Sequence, residues 1–184
     1  MGLPLLSLPE KRKYIGPPLE TSFMTFNGMS DTDADKATAF FREFYKEQGV
    51  KMHRVYDGVI DMLKAFKQRG KKLVIATSKP EPMAIYVMQV NGFLDLFDVV
   101  SGATFDGVRK TKEDVLKHAI NLLKPTNLEE CVLIGDSKSD AIGANFMGMD
   151  CVGVLYGFGT QEELEQNGVV SVVDTPEDLL KIID

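Results

Sequence analysis

Two aspartates, Asp136 and Asp140, stand in the segment GDSKSD directly after the apolar run CVLI. A strand made of that run delivers Asp136 to the edge of a sheet, Gly135 keeps the backbone slim there, and Asp140 opens the next helix. Carboxylates at that spacing converge. With no Cys or His beside them they present hard oxygen ligands, which suit Mg²⁺ better than zinc or copper. A plainer role also fits, in which Asp136 caps the helix and Asp140 favours its N-terminal dipole. Capping alone does not call for both acids.

Thr77 and Ser78 end a second apolar run, KLVIATS, just before a helix that starts at Pro80. A hydroxyl beside exposed backbone N–H groups at a helix N-terminus makes an anion cradle of the kind that holds phosphate oxygens. Ordinary capping by Ser or Thr would use the same residues. Arg109, Lys110 and Lys112 follow a third apolar run, FDVVSG. A cation there balances a dianionic phosphate and its carboxylates, or else it is solvated surface charge. His53 and His118 have no partner at catalytic spacing, so both read as structural or surface groups.

These residues need elements to place them. From about Tyr56 onward the hydrophobic period alternates between helix and strand. Asp57 is expected to cap the helix GVIDMLKAFKQ, which Gly70 stops. The strand KLVIATS, the helix PEPMAIYVMQVNG, the strand FDVVSG, the helix TKEDVLKHAINLL and the strand CVLIGD follow. The helix DAIGANFMG, the strand CVGVLYG, the helix TQEELEQNG, the strand VVSVVD and the helix TPEDLLKII complete the chain. Strand and helix in alternation, without hairpin turns, imply an α/β fold with a parallel, doubly wound sheet. Ligands then bind beyond the carboxyl ends of the strands, where Thr77, Ser78, Asp136 and Asp140 lie.

Residues 1–55 differ in texture and read as a small helical lobe, with residues 56–184 as the α/β core. After the Pro-rich stretch YIGPPLE, Ser30 or Asp31 can cap a helix that Gly49 ends, and Phe40, Phe41, Phe44 and Tyr45 recur along it as an apolar stripe. With 184 residues, the chain is long enough for one domain with a small lobe. Its 27 acidic and 21 basic residues leave a formal charge of −6, which argues against nonspecific binding to nucleic acid or anionic membranes. Cys131 and Cys151 lack the number and spacing of a disulfide framework or zinc site, and are expected to be buried reduced thiols. No apolar run approaches the ~18 residues of a membrane span. The opening MGLPLLSLPEKRK has its apolar patch before its charges, the reverse of a secretory signal, so a cytoplasmic location is expected.

Taken in order, IATSKP, RKTK followed by EDVL, and VLIGDSKSD resemble motifs two, three and four of the haloacid-dehalogenase-like phosphohydrolases. The phosphoglycolate phosphatase branch is the nearest in kind. KYIGPPLETSF looks like the start of its helical cap, and GVLYGFGTQEEL like its stretch after the fourth motif. The resemblance implies a Rossmann-like core and a Mg²⁺-dependent hydrolase of a small phosphorylated metabolite, acting through an aspartyl-phosphate. It makes Thr77 the hydroxyl that holds the transferring phosphoryl group, with the Ser78 amide beside it. Asp136 becomes a direct Mg²⁺ ligand, and Asp140 holds the metal's water shell. The lysine of motif three falls at Lys112 by an Arg-x-x-Lys pattern that Arg109 fits, or at Lys110 by a Lys-Pro-x-Pro pattern; Lys112 is preferred. The family's first, central strand, ending in Asp-x-Asp-Gly-Thr with the attacking aspartate, has no counterpart here. Asp31 and Asp33, the local candidates, follow FNGMS and open a helix. Two functions are therefore weighed: the larger part of a phosphatase whose nucleophile segment is missing from this chain, or an inactive phosphate-binding or regulatory module.

Overall fold

The computed structural model describes residues 5–15 and 17–183. The chain divides into two compact units, Met1–His53 and Arg54–Asp184.

The first unit is helical, with α1 (Leu8–Arg12), α2 (Leu19–Asn27), α3 (Asp31–Glu47) and a 3₁₀ turn at Gly49–Met52. Ser30 caps α3: its hydroxyl accepts the Asp33 N–H at 3.2 Å, while Asp31 and Asp33 place negative charge in the first turn. The buried residues of α2 and α3 are small: Ser22, Ala34, Ala37 and Thr38. The aromatic stripe is not the buried face, since Phe40 is 63% and Phe44 48% exposed. Small side chains let two helical backbones approach closely, and the large rings on α3 then stand outside that contact.

The second unit alternates helix and strand: α4 (Val59–Gln68), β1 (Val74–Pro80), α5 (Glu81–Val90), β2 (Val99–Ala103), α6 (Lys112–Leu123) and β3 (Val132–Gly135). It continues with α7 (Lys138–Met147), β4 (Asp150–Val154), α8 (Gln161–Gln166), β5 (Ser171–Val173) and α9 (Pro176–Ile182). Local chemistry sets most boundaries. Thr111 caps α6 by accepting the Asp114 N–H, and Gly70, with φ of 78°, lets the chain turn out of α4. The start of α4 differs from expectation. Gly58, at φ 83°, takes the N-cap position, and Asp57 pairs with Arg54 at 3.0 Å instead.

Every strand pair is parallel. The strands form two sheets, one of β1 and β2, the other in the order β3-β4-β5. Among the described residues β1 pairs only with β2, and β3 only with β4. Helices cover both faces. On one, Met62, Leu63 and Phe66 of α4 and Leu179 of α9 pack with Val152, Val154 and Val173. On the other, Leu116 of α6 and Ala141 and Ala144 of α7 pack with Cys151, and both Ala76 of β1 and Leu133 of β3 lie against that cluster. Helices on both faces of parallel strands make this a doubly wound α/β core. Cys151 is buried in it, whereas Cys131 is only partly buried, because its position just ahead of β3 lies at the sheet's rim.

Candidate active site

The carboxyl end of β1 is irregular. Thr77 pairs with Gly102 and Pro80 with the next residue, Ala103, so Ser78 and Lys79 are extra residues that bulge from the ladder. The Thr77 hydroxyl closes the bulge by accepting the Lys79 N–H at 3.1 Å. Burial pulls the Lys79 ammonium below its ordinary pKa, because desolvation penalises the charged form. Gly102 stands against this turn. A Cβ there would lie 2.6 Å from the Lys79 carbonyl oxygen and from Glu81 Cα, so no larger residue fits. Arg109 fastens the same corner: its Nε donates to the Gly102 carbonyl and its guanidinium to Glu81, whose Oε2 also accepts the Gly102 N–H at 3.1 Å. Arg109 is thus committed to structure, joining the β1–α5 turn to the end of β2.

Lys112, the first residue of α6, reaches across to two partners. Its Nζ lies 2.7 Å from Asp140 Oδ1 and donates to the Ala76 carbonyl of β1 at 3.1 Å. Both side chains are nearly out of solvent, Lys112 12% and Asp140 11% exposed. In so dry a place each charge depends on the other. Lys110 is exposed. Asp140 Oδ2 accepts both the Ser137 N–H at 3.1 Å and the Ser137 hydroxyl at 2.6 Å, so Ser137 is the cap of α7 and Asp140 its reciprocal partner. Gly135 makes room, since a Cβ there would lie 2.3 Å from Asp140 Cβ. Beneath this pair, burial pushes the Cys151 thiol up to about 12, the Asp140 charge adding to the effect and Lys112 opposing it.

Asp136 does not cap the helix. Its Oδ2 accepts the Phe158 N–H at 2.9 Å and its carbonyl accepts the Gly159 N–H at 2.8 Å, both from the turn after β4. That turn holds Tyr156, whose hydroxyl is pushed up to about 12 by burial, with Asp136's charge contributing. The contacts therefore join Lys112 to Asp140 and to the residue before Thr77. Among the described residues no hydrogen bond links Asp136 to Thr77, Ser78 or Lys112. His53 engages Tyr45 Oη at 2.6 Å and the Val50 carbonyl at 3.1 Å within the helical unit.

Mg²⁺ keeps several waters and takes only one or two carboxylates besides substrate phosphate. Asp136 and Asp140 meet that requirement in ligand type, although no group of three or more His, Cys, Asp or Glu side chains clusters among the described residues. Of the two, Asp136 has the less committed carboxylate: Asp140 is held on both oxygens. The resemblance covers Lys79 within IATSKP and residues 156–160 within GVLYGFGTQEEL, but it assigns no role to either. The two glycines of YGFG are the signal in the sequence from which a close backbone approach could have been read.

The sequence pattern of the haloacid dehalogenase-like hydrolases matches residues 1–154, and the chain belongs to that family. It is similar to a 5′-nucleotidase of Pseudomonas aeruginosa, 35% identical over 164 residues, which covers 89% of this chain and 74% of that protein. A phosphoglycolate phosphatase of Vibrio vulnificus is 31% identical over 175 residues, covering 92% of this chain and 74% of its own. Among solved structures, a predicted phosphatase from Clostridium acetobutylicum superposes with a TM-score of 0.92 at 34% identity, over 98% of this chain and 83% of that one. No helix among the described residues is long and apolar enough to cross a membrane.

Proposed function

We propose that the chain forms the greater part of the core of a Mg²⁺-dependent phosphatase acting on a small, phosphoglycolate-like phosphomonoester. The observation that carries this reading is the convergence of Lys112, Asp140 and the Ala76 carbonyl next to Thr77, at the strand ends where α/β sheets bind ligands. Thr77 accepts the Lys79 N–H, which leaves its O–H proton to be donated to a phosphoryl oxygen, with the Ser78 amide beside it. Lys112 offsets phosphate charge, and its bond to Asp140 keeps it oriented before substrate arrives. Asp136 would ligate Mg²⁺ directly and Asp140 would hold its water shell; the metal, when bound, supplies charge stabilisation to the transferring phosphoryl group.

The attacking carboxylate is assigned to a strand that lies between β1 and β3 and ends in Asp-x-Asp-Gly-Thr, outside these 184 residues. Among the described residues β1 and β3 each have an edge that no strand pairs, which supports this, because a strand there would satisfy backbone groups on both. That aspartate would attack phosphorus and expel the alcohol, and water would then release phosphate from the aspartyl-phosphate. Residues 1–55 serve as the cap lobe.

Hydrolysis of p-nitrophenyl phosphate with Mg²⁺ tests the reading. The 184-residue chain should show negligible turnover, and fusion to a strand ending in Asp-x-Asp-Gly-Thr should bring activity that Asp136→Ala abolishes. Robust turnover by the chain alone, lost in Asp136→Ala, would overturn the assignment of the nucleophile. An inert fusion that still binds phosphate would favour a phosphate-binding or regulatory module.

A further inference from the structure

The turn between β4 and α8 is built around one residue of the site. Leu155 N–H bonds the Val173 carbonyl at 3.0 Å, and Thr160 caps α8 by accepting the Glu163 N–H, so the segment is fastened at both ends. Between these anchors it closes on Asp136. The Phe158 N–H holds Oδ2 and the Gly159 N–H holds the backbone carbonyl. A Cβ on Gly157 would lie 2.2 Å from Asp136 Oδ2 and 2.3 Å from its Cβ, and one on Gly159 would lie 2.2 Å from the Asp136 carbonyl oxygen. Neither glycine has a φ in the left-handed region, so both positions need the missing side chain rather than backbone freedom. The Phe158 ring is 58% exposed and contributes little to seating the turn.

We propose that Gly157, Phe158 and Gly159 are positioning residues for Asp136: the Phe158 amide takes Oδ2 and so assigns Oδ1 to the cation, while Gly157 leaves the space that the carboxylate occupies. The inference rests on the Mg²⁺ reading of Asp136 given above. A carboxylate fixed through one oxygen binds a cation without first losing rotamer freedom, and partners of this kind are worth about 10–100-fold in metal affinity. The turn lies some twenty residues along the chain from Asp136, so it acts on the site only through tertiary contact.

Calorimetric Mg²⁺ titration of the purified chain, paired with amide hydrogen exchange, decides the matter. Gly157→Ala should weaken Mg²⁺ by at least about tenfold. Gly153→Ala presses on Leu164 in the core, 2.9 Å from its Cδ1, and should lower the unfolding temperature while leaving Mg²⁺ affinity unchanged. Independently of metal, Asp136→Ala should speed exchange of the Phe158 amide by about tenfold and spare the Gly159 amide, which bonds only the backbone carbonyl. Wild-type Mg²⁺ affinity in Gly157→Ala, with binding lost in Asp136→Asn, would overturn the proposal. If the wild-type chain binds no Mg²⁺, or Gly157→Ala does not fold, the exchange arm decides: equal Phe158 exchange with and without the Asp136 side chain refutes the clamp. Absence of Mg²⁺ binding together with accelerated Phe158 exchange would leave the clamp standing and refute the metal reading alone.

Discussion

β4 and β1 are both parallel strands with helices above and below, yet they are buried to different extents. Cys151, Val152, Gly153 and Val154 of β4 are all buried, whereas all seven residues of β1 remain partly exposed. The difference lies in the edges. Among the described residues β4 has β3 on one side and β5 on the other, while β1 has β2 alone. Two helical layers close off the faces of a sheet, but only a neighbouring strand closes off its edge and its backbone. Lys112 reaches across to β1, donating to its Ala76 carbonyl, and the Asp140 carboxylate meets the same ammonium.

The largest effect should come from breaking that bridge. Lys112→Met leaves Asp140 Oδ1 and the Ala76 carbonyl without their donor, and a nearly buried carboxylate stripped of its cation should cost about 3 kcal/mol in urea unfolding. A loss below about 1 kcal/mol would mean that water screens the pair.

A second test sets the two strands side by side. Val152→Ala in β4 should cost about 2 kcal/mol, since Val152 is 3% exposed and packs against α4 and α9. Ile75→Ala in β1 removes more carbon and should nonetheless cost less, about 1 kcal/mol, because the half-exposed site can relax into solvent. The reverse order would break the comparison.

Asp98 tests how the open half is held together. Lys67 and Lys72 and the Leu73 N–H converge on its carboxylate, at 2.9, 3.1 and 2.9 Å, and tie the start of β1 to the start of β2. The Lys67 hydrogen bond, chiefly, holds its pKa well below the usual carboxylate range. A depressed folded-state pKa means that this stabilisation is present above the ordinary carboxylate value and is lost as pH falls toward the lowered one. Thermal melts from neutral to strongly acidic pH should show Asp98→Asn less stable at neutrality, with the gap to wild type closing in acid. A constant gap would assign the effect to packing.

Least should come from Arg54→Ala. Its pair with Asp57 is 82% and 89% exposed, so melts should be indistinguishable from wild type.

Much of this was written locally. Ser30 or Asp31 before an acidic first turn, Gly70 after an apolar run, and the switch from helical to strand periodicity after each turn signal marked the elements, because caps and periods depend only on neighbours in the chain. GDSKSD could be placed at a strand end for the same reason. The misjudged N-cap at Asp57 shows where local reading fails: Gly58 takes a left-handed conformation that depends on the turn before α4, and Asp57 turned to Arg54.

What the chain by itself determined is therefore the order of strands and helices and the residue types at the strand ends. Tertiary structure alone decided which of those residues meet. It turned Lys112 inward and left Lys110 exposed, spent Arg109 on Glu81, divided the parallel strands of the described residues into two sheets, and brought the turn at Gly157 onto Asp136. Each of these depends on groups twenty or more residues apart competing for the same space or the same hydrogen bond, and such competition leaves no periodic trace in the sequence.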